Sequence, residues 1–559
     1  MRSPHDLPWH EYEATLKPHE RPQMLGSPAT PDHPWPLRLR YGVIGVLVGM
    51  TGGLGNAVVT ANIQGLAGHL GVTTTEAAWL PVVFVMTNAC MNLLLVKFRQ
   101  QYGLQLFTKI ILGIFVAVSL ANVFASTFGS ELATRAIAGV CGAGMSTLGF
   151  LYIIQAFPAA HRLKGLIIGI GLSSFALPLA RITSSHLLDV ADWQGLYLSE
   201  LGLALLSLAA VFSLKLPPSQ RIQAYDPLDF VTFALFAPGI ALLCAVLGLG
   251  RLVWWTEAAW IGWALIGSIV LLTAAMIVEY NRKHPLIDLK WLGGADLVRL
   301  ILAILLVRVV LSEQTSGSVG FLQQMGVGLD QLHGLFWVIL IAMIAGTAVS
   351  ALTLDMAKLY KPIAIALALI AVGAFIDSHA TVLTRPVNLY FSQALLAFAS
   401  ALFIGPALMI GIVQVLTKAP QNLVSFIVAF SVVQNVGGLA GGALVGTVQI
   451  IREKFHSSQL SESITLGDPQ VVLRLQQLGG AYARVQGDAA LRTTDGVQLL
   501  QQQVTQQANV LAYNDVFLLI AIAAAIGCLW TTFVHFRPRI LAQRAARPAA
   551  DAAVADISH

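Results

Sequence analysis

From Tyr41 onward the chain alternates long apolar runs with short polar breaks. The runs cover residues 41–66, 77–96, 104–125, 131–156, 165–187, 195–214 and 229–250, then 258–279, 297–322, 333–354, 362–382, 388–416, 423–450 and 514–536. Each is close to the length of about 20 residues that an α-helix needs to cross a bilayer, and the backbone of a helix satisfies its own hydrogen bonds there. The pattern predicts an all-α polytopic membrane protein with fourteen transmembrane helices.

Composition narrows this further. Of the 559 residues 56% are hydrophobic and 11% charged, and the mean hydropathy is +0.73. Soluble domains carry about 25% charge. The only long polar stretches are the first forty residues and the segment after position 450, too little for a large catalytic or nucleotide-binding domain outside the membrane. The pI of about 9.0 forms no soluble basic face, so nucleic acid is not expected as a partner. Cys90, Cys141, Cys244 and Cys528 lie far apart inside apolar runs, without the spacing of metal ligands, so neither a metal nor a cofactor is expected.

The excess Lys and Arg sets an orientation. With the N-terminus inside, the inner segments carry Arg38, Arg40, Lys97, Arg99, Arg162, Lys164, Lys215, Arg282, Lys290, Lys358, Lys361 and Lys418, whereas the short outer loops carry only Arg251 and Arg385. Both termini are therefore expected in the cytoplasm and residues 452–512 outside. Residues 1–40, with eight prolines among the first 36, read as a disordered cytoplasmic tail, and residues 537–559 as a second tail.

Ionisable residues inside the runs carry the candidate chemistry, because a charge at the bilayer centre costs about 3 kcal/mol or more unless paired or wetted. They are Arg135, Arg181, Glu200, Arg308 and Glu313. Arg181 and Glu200 fall at matched depths of about 8 Å from the outer face. That predicts an ion pair, either a structural clamp or a part of gating or proton transfer. Arg308 and Glu313 are separated by about 140° around a helix, so one can line a cavity while the other meets a different helix. Asn56, Thr60 and Gln64 make a polar stripe that either lines a cavity or bonds a neighbouring helix.

In this arrangement the chain resembles the fourteen-helix drug:proton antiporter family of the major facilitator superfamily, and within it the EmrB-type multidrug exporters. The resemblance runs from about Arg40 to Arg537 and rests on ANIQGLAGHLG at 61–71, RAIAG at 135–139, PAAHR at 158–162, PLDF at 227–230 and HPLIDL at 284–289. An outer loop running from REKFHSSQLSES at 452–463 to LAYNDVF at 511–517 completes it.

The resemblance implies a major facilitator fold: a six-helix half at 41–214, two inserted helices at 215–290 and a second six-helix half at 291–536 that includes the periplasmic loop 452–512. Substrate would bind near the midplane between the halves. Asn56, Gln64, Arg135, Arg308 and Glu313 would form the substrate and proton pathway, with Arg181 and Glu200 as an ion pair or gate. The implied function is a secondary transporter, not an enzyme, of the bacterial inner membrane, exporting amphiphilic small molecules or drugs by proton antiport. An importer or facilitator of a small metabolite on the same fold is the alternative.

Three positions depart from the family pattern. Gly55 stands where an acid is usual in the first helix, LPLAR at 177–181 has Arg181 in place of a glycine, and VKFRQQYG at 96–103 lacks its Asp. Glu200 and Glu313 are then the acids left for proton coupling. In the outer loop Val497, Leu500, Val504, Ala508 and Leu511 recur at helical spacing. This apolar face either packs on its own bundle or, as the resemblance implies, docks a periplasmic membrane-fusion adaptor that leads to an outer-membrane channel in a tripartite efflux system.

Overall fold

The computed structural model describes residues 9–22, 27–282, 285–356, 358–418, 422–465, 467–481, 483–484 and 487–557. Among them 13 helices are long and apolar enough to cross a membrane, from Trp35–Ala61 to Ala490–His535. The region between Ala259–Tyr280 and Asp330–Leu352 holds a further, interrupted helix: Ala295–Val310, a π-helical turn at Glu313–Gly317, then Ser318–Gln324. It falls on the ninth predicted run, so spans are numbered one to fourteen below with this broken helix as span nine. The interruption sits at the polar stretch Ser312 to Ser316, and such π-turns recur at functional sites.

Residues 176–213 are assigned as one helix, yet their contacts show two antiparallel legs. Ser184 accepts a hydrogen bond from Asn62 at the end of span one, whereas Ser207 bonds Thr51 and the Lys215 carbonyl accepts from Tyr41 near its start. The chain therefore reverses between Ser184 and Trp193, which separates span five (Arg162–Ser184) from span six (Trp193–Ser213).

Spans one to six pack as one group and spans nine to fourteen as another. Phe107, Phe115 and Met145 help fill the first core, and Ile304, Ile370 and Phe403 the second. Close packing replaces the hydrophobic drive that lipid removes, and glycine permits it. A Cβ on Gly149 would fall 2.6 Å from the Gly49 Cα, so spans one and four meet backbone to backbone.

Span seven lies against span eight, span two and span thirteen. Polar staples fix them: Asp229 of PLDF accepts from Lys97 (2.5 Å) and from Arg282 (2.9 Å), and Arg282 also pairs with Glu279 (2.7 Å). Glu279 in turn accepts the backbone N–H groups of Leu286 and Ile287 within HPLIDL; His284 of that motif lies outside the described residues.

The expected disorder of the N-terminal tail is corrected for its described part. Trp9–Ala14 is helical, and Tyr12, Leu16 and Ala29 are buried together. Glu20 accepts from the backbone of Lys17 (2.9 Å) and Asp32 (3.1 Å), while Gln155 of span four donates to the Ala29 carbonyl (2.8 Å). Prolines favour extended backbone. Here that extended chain is laid as a strap across the ends of spans four and five, and Arg162 donates to the Thr30 carbonyl. This end of the bundle is the strap side.

At the opposite end, the loop side, span thirteen continues as one helix to Ser463, Pro469–Gly480 follows, and the last helix begins at Ala489. Asp515 ties the two long helices together by accepting from Arg452 (2.5 Å) and bonding His456 (2.7 Å).

Candidate transport cavity and buried carboxyl sites

A cavity of about 740 Å³ lies between the two halves, within the range of pockets for drug-sized ligands. Its wall takes Asn56, Thr60 and Asn88 from the first half and Arg308, Gln314 and Ser400 from the second, and strap residues Arg21, Pro22 and Thr30 line its strap-side end. The loop side is closed by contacts between the halves. Arg181 donates to the Thr315 carbonyl of the π-turn (3.3 Å) and lies 5.0 Å from the Phe336 ring centroid, and His333 Nε2 is 2.6 Å from the Ile182 carbonyl.

This corrects the expected Arg181–Glu200 pair. Depth matched, but direction did not: Arg181 points across to the second half, and Glu200 points into the first. There Glu200 Oε2 meets Arg135 Nη2 at 3.4 Å, and Glu131 Oε1 accepts from Arg135 Nε at 3.0 Å. Arg135 Nη1 donates to the Gly55 carbonyl (3.1 Å). Asn122, with its amide donating to Glu131 Oε2 (2.8 Å), presents its oxygen to Arg135 Nη2 (2.5 Å). All these side chains are buried. A Cβ on Gly55 would collide with Glu200 Oε1 and lie 2.8 Å from its Cδ. The carboxyl missing from span one is thus replaced in space by one reaching in from span six.

The second half contains a counterpart. Glu313, on the π-turn of span nine, and Asp377, at the end of span eleven, are both buried, and both accept from the Gln393 amide at the start of span twelve (3.1 and 2.7 Å). Glu313 Oε2, Asp377 Oδ1 and Gln393 Oε1 have no hydrogen-bond partner. Among the described residues no Lys, Arg or His side chain pairs with either carboxyl. Gln314, next to Glu313, bonds the Gln393 carbonyl (3.3 Å) and lines the cavity, so the wall and the carboxyl pair share one turn of backbone.

Of the residues picked out in the sequence, Asn56 and Arg308 line the cavity, and Glu313 faces away from it toward spans eleven and twelve. Arg135 and Glu200 are sealed inside the first half. Gln64 is exposed on a short helix beyond the end of span one, off the cavity. On the loop-side helix Val497 is exposed, Leu500, Val504 and Leu511 are half-buried, and Ala508 is buried. The sequence reading missed Glu131, Asp377 and Gln393. Two signals were available: Glu131 and Arg135 are four apart on one helix face, and Asp377 is an acid inside an apolar run.

These helices and this cavity define a helical membrane transporter fold. The sequence profile of the Major Facilitator Superfamily matches residues 45–442, and the chain belongs to that family. It is 28% identical over 238 residues to the Major facilitator superfamily multidrug transporter mfsC of Aspergillus fumigatus, covering 42% of this chain and 45% of that protein. It is 23% identical over 237 residues to the Fatty acid resistance protein FarB of Neisseria gonorrhoeae, covering 42% and 46%. The chain thus spans about half the length of these two relatives. The Uncharacterized MFS-type transporter YhcA of Bacillus subtilis is similar over more of its length, with 21% identity over 86% of this chain and 90% of that one. Among solved structures, PepTSo2 shares the fold at a TM-score of 0.54 and 10% identity, covering 90% of this chain and 99% of that one.

Proposed function

We propose that this transporter exports amphiphilic small molecules from a bacterial cytoplasm in exchange for protons, with Glu313 and Asp377 as the proton-carrying pair. One observation carries the reading: two buried carboxyls share the Gln393 amide, and no cation among the described residues neutralises them. Two carboxylates held so close in a dry site do not both ionise, as in paired-carboxyl enzymes. Such a pair keeps a proton until its surroundings change. The π-turn supplies the link, because substrate pressing on Gln314 and Thr315 moves the backbone that carries Glu313. The names of the relatives, multidrug transporter and fatty acid resistance protein, support an amphiphilic cargo.

The reading is tested in proteoliposomes holding a pH-sensitive dye, to which a panel of amphiphilic compounds is added. Wild-type protein should move protons when a transported compound is present. Glu313→Gln and Asp377→Asn should abolish that movement while leaving compound binding intact. Proton movement at the wild-type rate in both variants would place coupling elsewhere.

The Lys and Arg asymmetry supports an inner-membrane orientation with both termini cytoplasmic and the loop-side helices in the periplasm. A cysteine at exposed Ser458, with the four native cysteines removed, should react with an impermeant thiol reagent added outside. Labelling only after the membrane is opened would reverse the orientation. On these helices the face at Val497, Leu500, Val504 and Leu511 is only partly covered, which suits a membrane-fusion adaptor and, beyond it, an outer-membrane channel. Leu500→Asp combined with Val504→Asp should lower export from cells without lowering transport in proteoliposomes; unchanged export at equal expression would remove the adaptor from the proposal.

A further inference from the structure

We propose that the cavity takes the head of an anionic amphiphile, a carboxylate, sulfonate or phosphate, and that Arg308 holds it deep in the membrane. This rests on the transporter reading, but not on the direction of transport or on proton coupling. Among the described lining residues every ionisable side chain is an arginine, namely Arg21, Arg99, Arg162 and Arg308, with no Asp or Glu. Three of them stand at the strap side, where Arg99 ends span two, Arg162 begins span five and Arg21 belongs to the strap. Arg308 lies 13 residues beyond the start of its helix at Ala295, which is about 20 Å along the axis.

The contrast with Arg135 identifies what Arg308 lacks. Arg135 is satisfied inside its own half by Glu131 and Glu200. Arg308 spends its Nε on the Gln434 carbonyl (3.1 Å), and no acid among the described residues pairs with it. A Cβ on Gly438 would come within 2.9 Å of Arg308 Nη2, so the glycine leaves this end of the guanidinium room. Arg99 is only 8% exposed and its Nε has no hydrogen-bond partner. An uncompensated guanidinium as deep as Arg308 is costly, and an incoming anion with two oxygens relieves that cost by bidentate bonding. Phe150, Phe430, Ile404 and Leu408 offer an apolar wall for the rest of the molecule. A cation entering the same cavity meets like charge and no carboxylate among the described lining residues.

The experiment measures equilibrium binding to the full chain in phosphatidylcholine vesicles, without any gradient, for octanoate, octanamide and octyltrimethylammonium. Octanoate should bind about tenfold tighter than either analogue, and Arg308→Gln should weaken it about tenfold. Octanamide affinity should stay the same in that variant, which shows that the cavity is still formed, and Arg308→Lys should recover part of the loss. Equal or tighter binding of octyltrimethylammonium, or unchanged octanoate affinity in Arg308→Gln, overturns the proposal. Adding phosphatidylglycerol should leave octanoate affinity unchanged; a loss there would hand the site to lipid headgroups and overturn the assignment to a soluble cargo. Octanoate held by Arg308 without proton-driven movement would refute proton-coupled export alone. Proton-driven movement of a cation with no octanoate binding would refute this inference alone.

Discussion

The two buried carboxyl sites occupy matching places in the two halves and differ in one decisive side chain. Glu131 and Gln393 each stand three residues after the start of their helix, Phe128 in span four and Tyr390 in span twelve. Asn122 is the last residue but one of span three, and Asp377 the last of span eleven. The amide and the acid have exchanged positions, so each half keeps one of each there. A second carboxyl comes from Glu200 in the first half and from Glu313 in the second. Four residues beyond Glu131 stands Arg135; four beyond Gln393 stands Ala397, equally buried. With the guanidinium, the two acids of the first half share one cation, which bonds to both. Without it, the same frame holds two buried acids that share only the Gln393 amide. A single side chain thus separates a site with a cation from one without, and on the proposed reading a brace from a proton carrier.

The largest effect should come from removing that side chain. Arg135→Gln leaves Glu131 and Glu200 buried without a cation, and breaking a buried pair in this way costs about 3–5 kcal/mol. Thermal unfolding in detergent should show the loss, and Glu131→Gln with Glu200→Gln added in the same chain should recover much of it. A wild-type melting temperature for Arg135→Gln would mean that the first-half cluster is not a brace.

Neutralising the second site should act the other way. Glu313→Gln with Asp377→Asn removes charge that no cation balances, so stability should hold within about 1 kcal/mol while proton movement is lost. A collapse of folding there would erase the distinction between the two sites.

A smaller effect sharpens the geometry. Gly55→Ala pushes against the Glu200 carboxyl and should cost about 1–3 kcal/mol. Gly317→Ala, beside Glu313, meets Phe517 Cε1 at 3.1 Å and the Glu313 Cγ only at 3.6 Å, and should cost less. Equal melting temperatures for the two variants would show that Glu200 does not occupy the space over Gly55.

Legibility followed the physics of each level. Apolar runs near the bilayer length announced almost every span, because lipid contact constrains nearly every residue of a helix. Span nine was announced as well, but not its π-turn, since local sequence does not reveal which backbone hydrogen bonds a polar stretch gives up. Arg135, Glu200 and Glu313 stood out because ionisable residues are rare in a membrane. Their partners did not. Glu131 sat at a predicted boundary, where charge is ordinary, and Gln393 carries no charge at all. The strap was misread because eight prolines argue against regular helices, not against an extended chain that bonds to a neighbour.

What the sequence determined by itself was the set of membrane helices, the charges placed among them and the asymmetry of Lys and Arg between the two faces, since all three follow from the cost of placing each residue in lipid or water. Only the tertiary structure decided which acid meets which arginine. Matched depth put Arg181 beside Glu200, but an ion pair also depends on which way each helix face is turned. That rotation is set by the packing of all the other spans, down to Gly49 against Gly149 and the open space over Gly55.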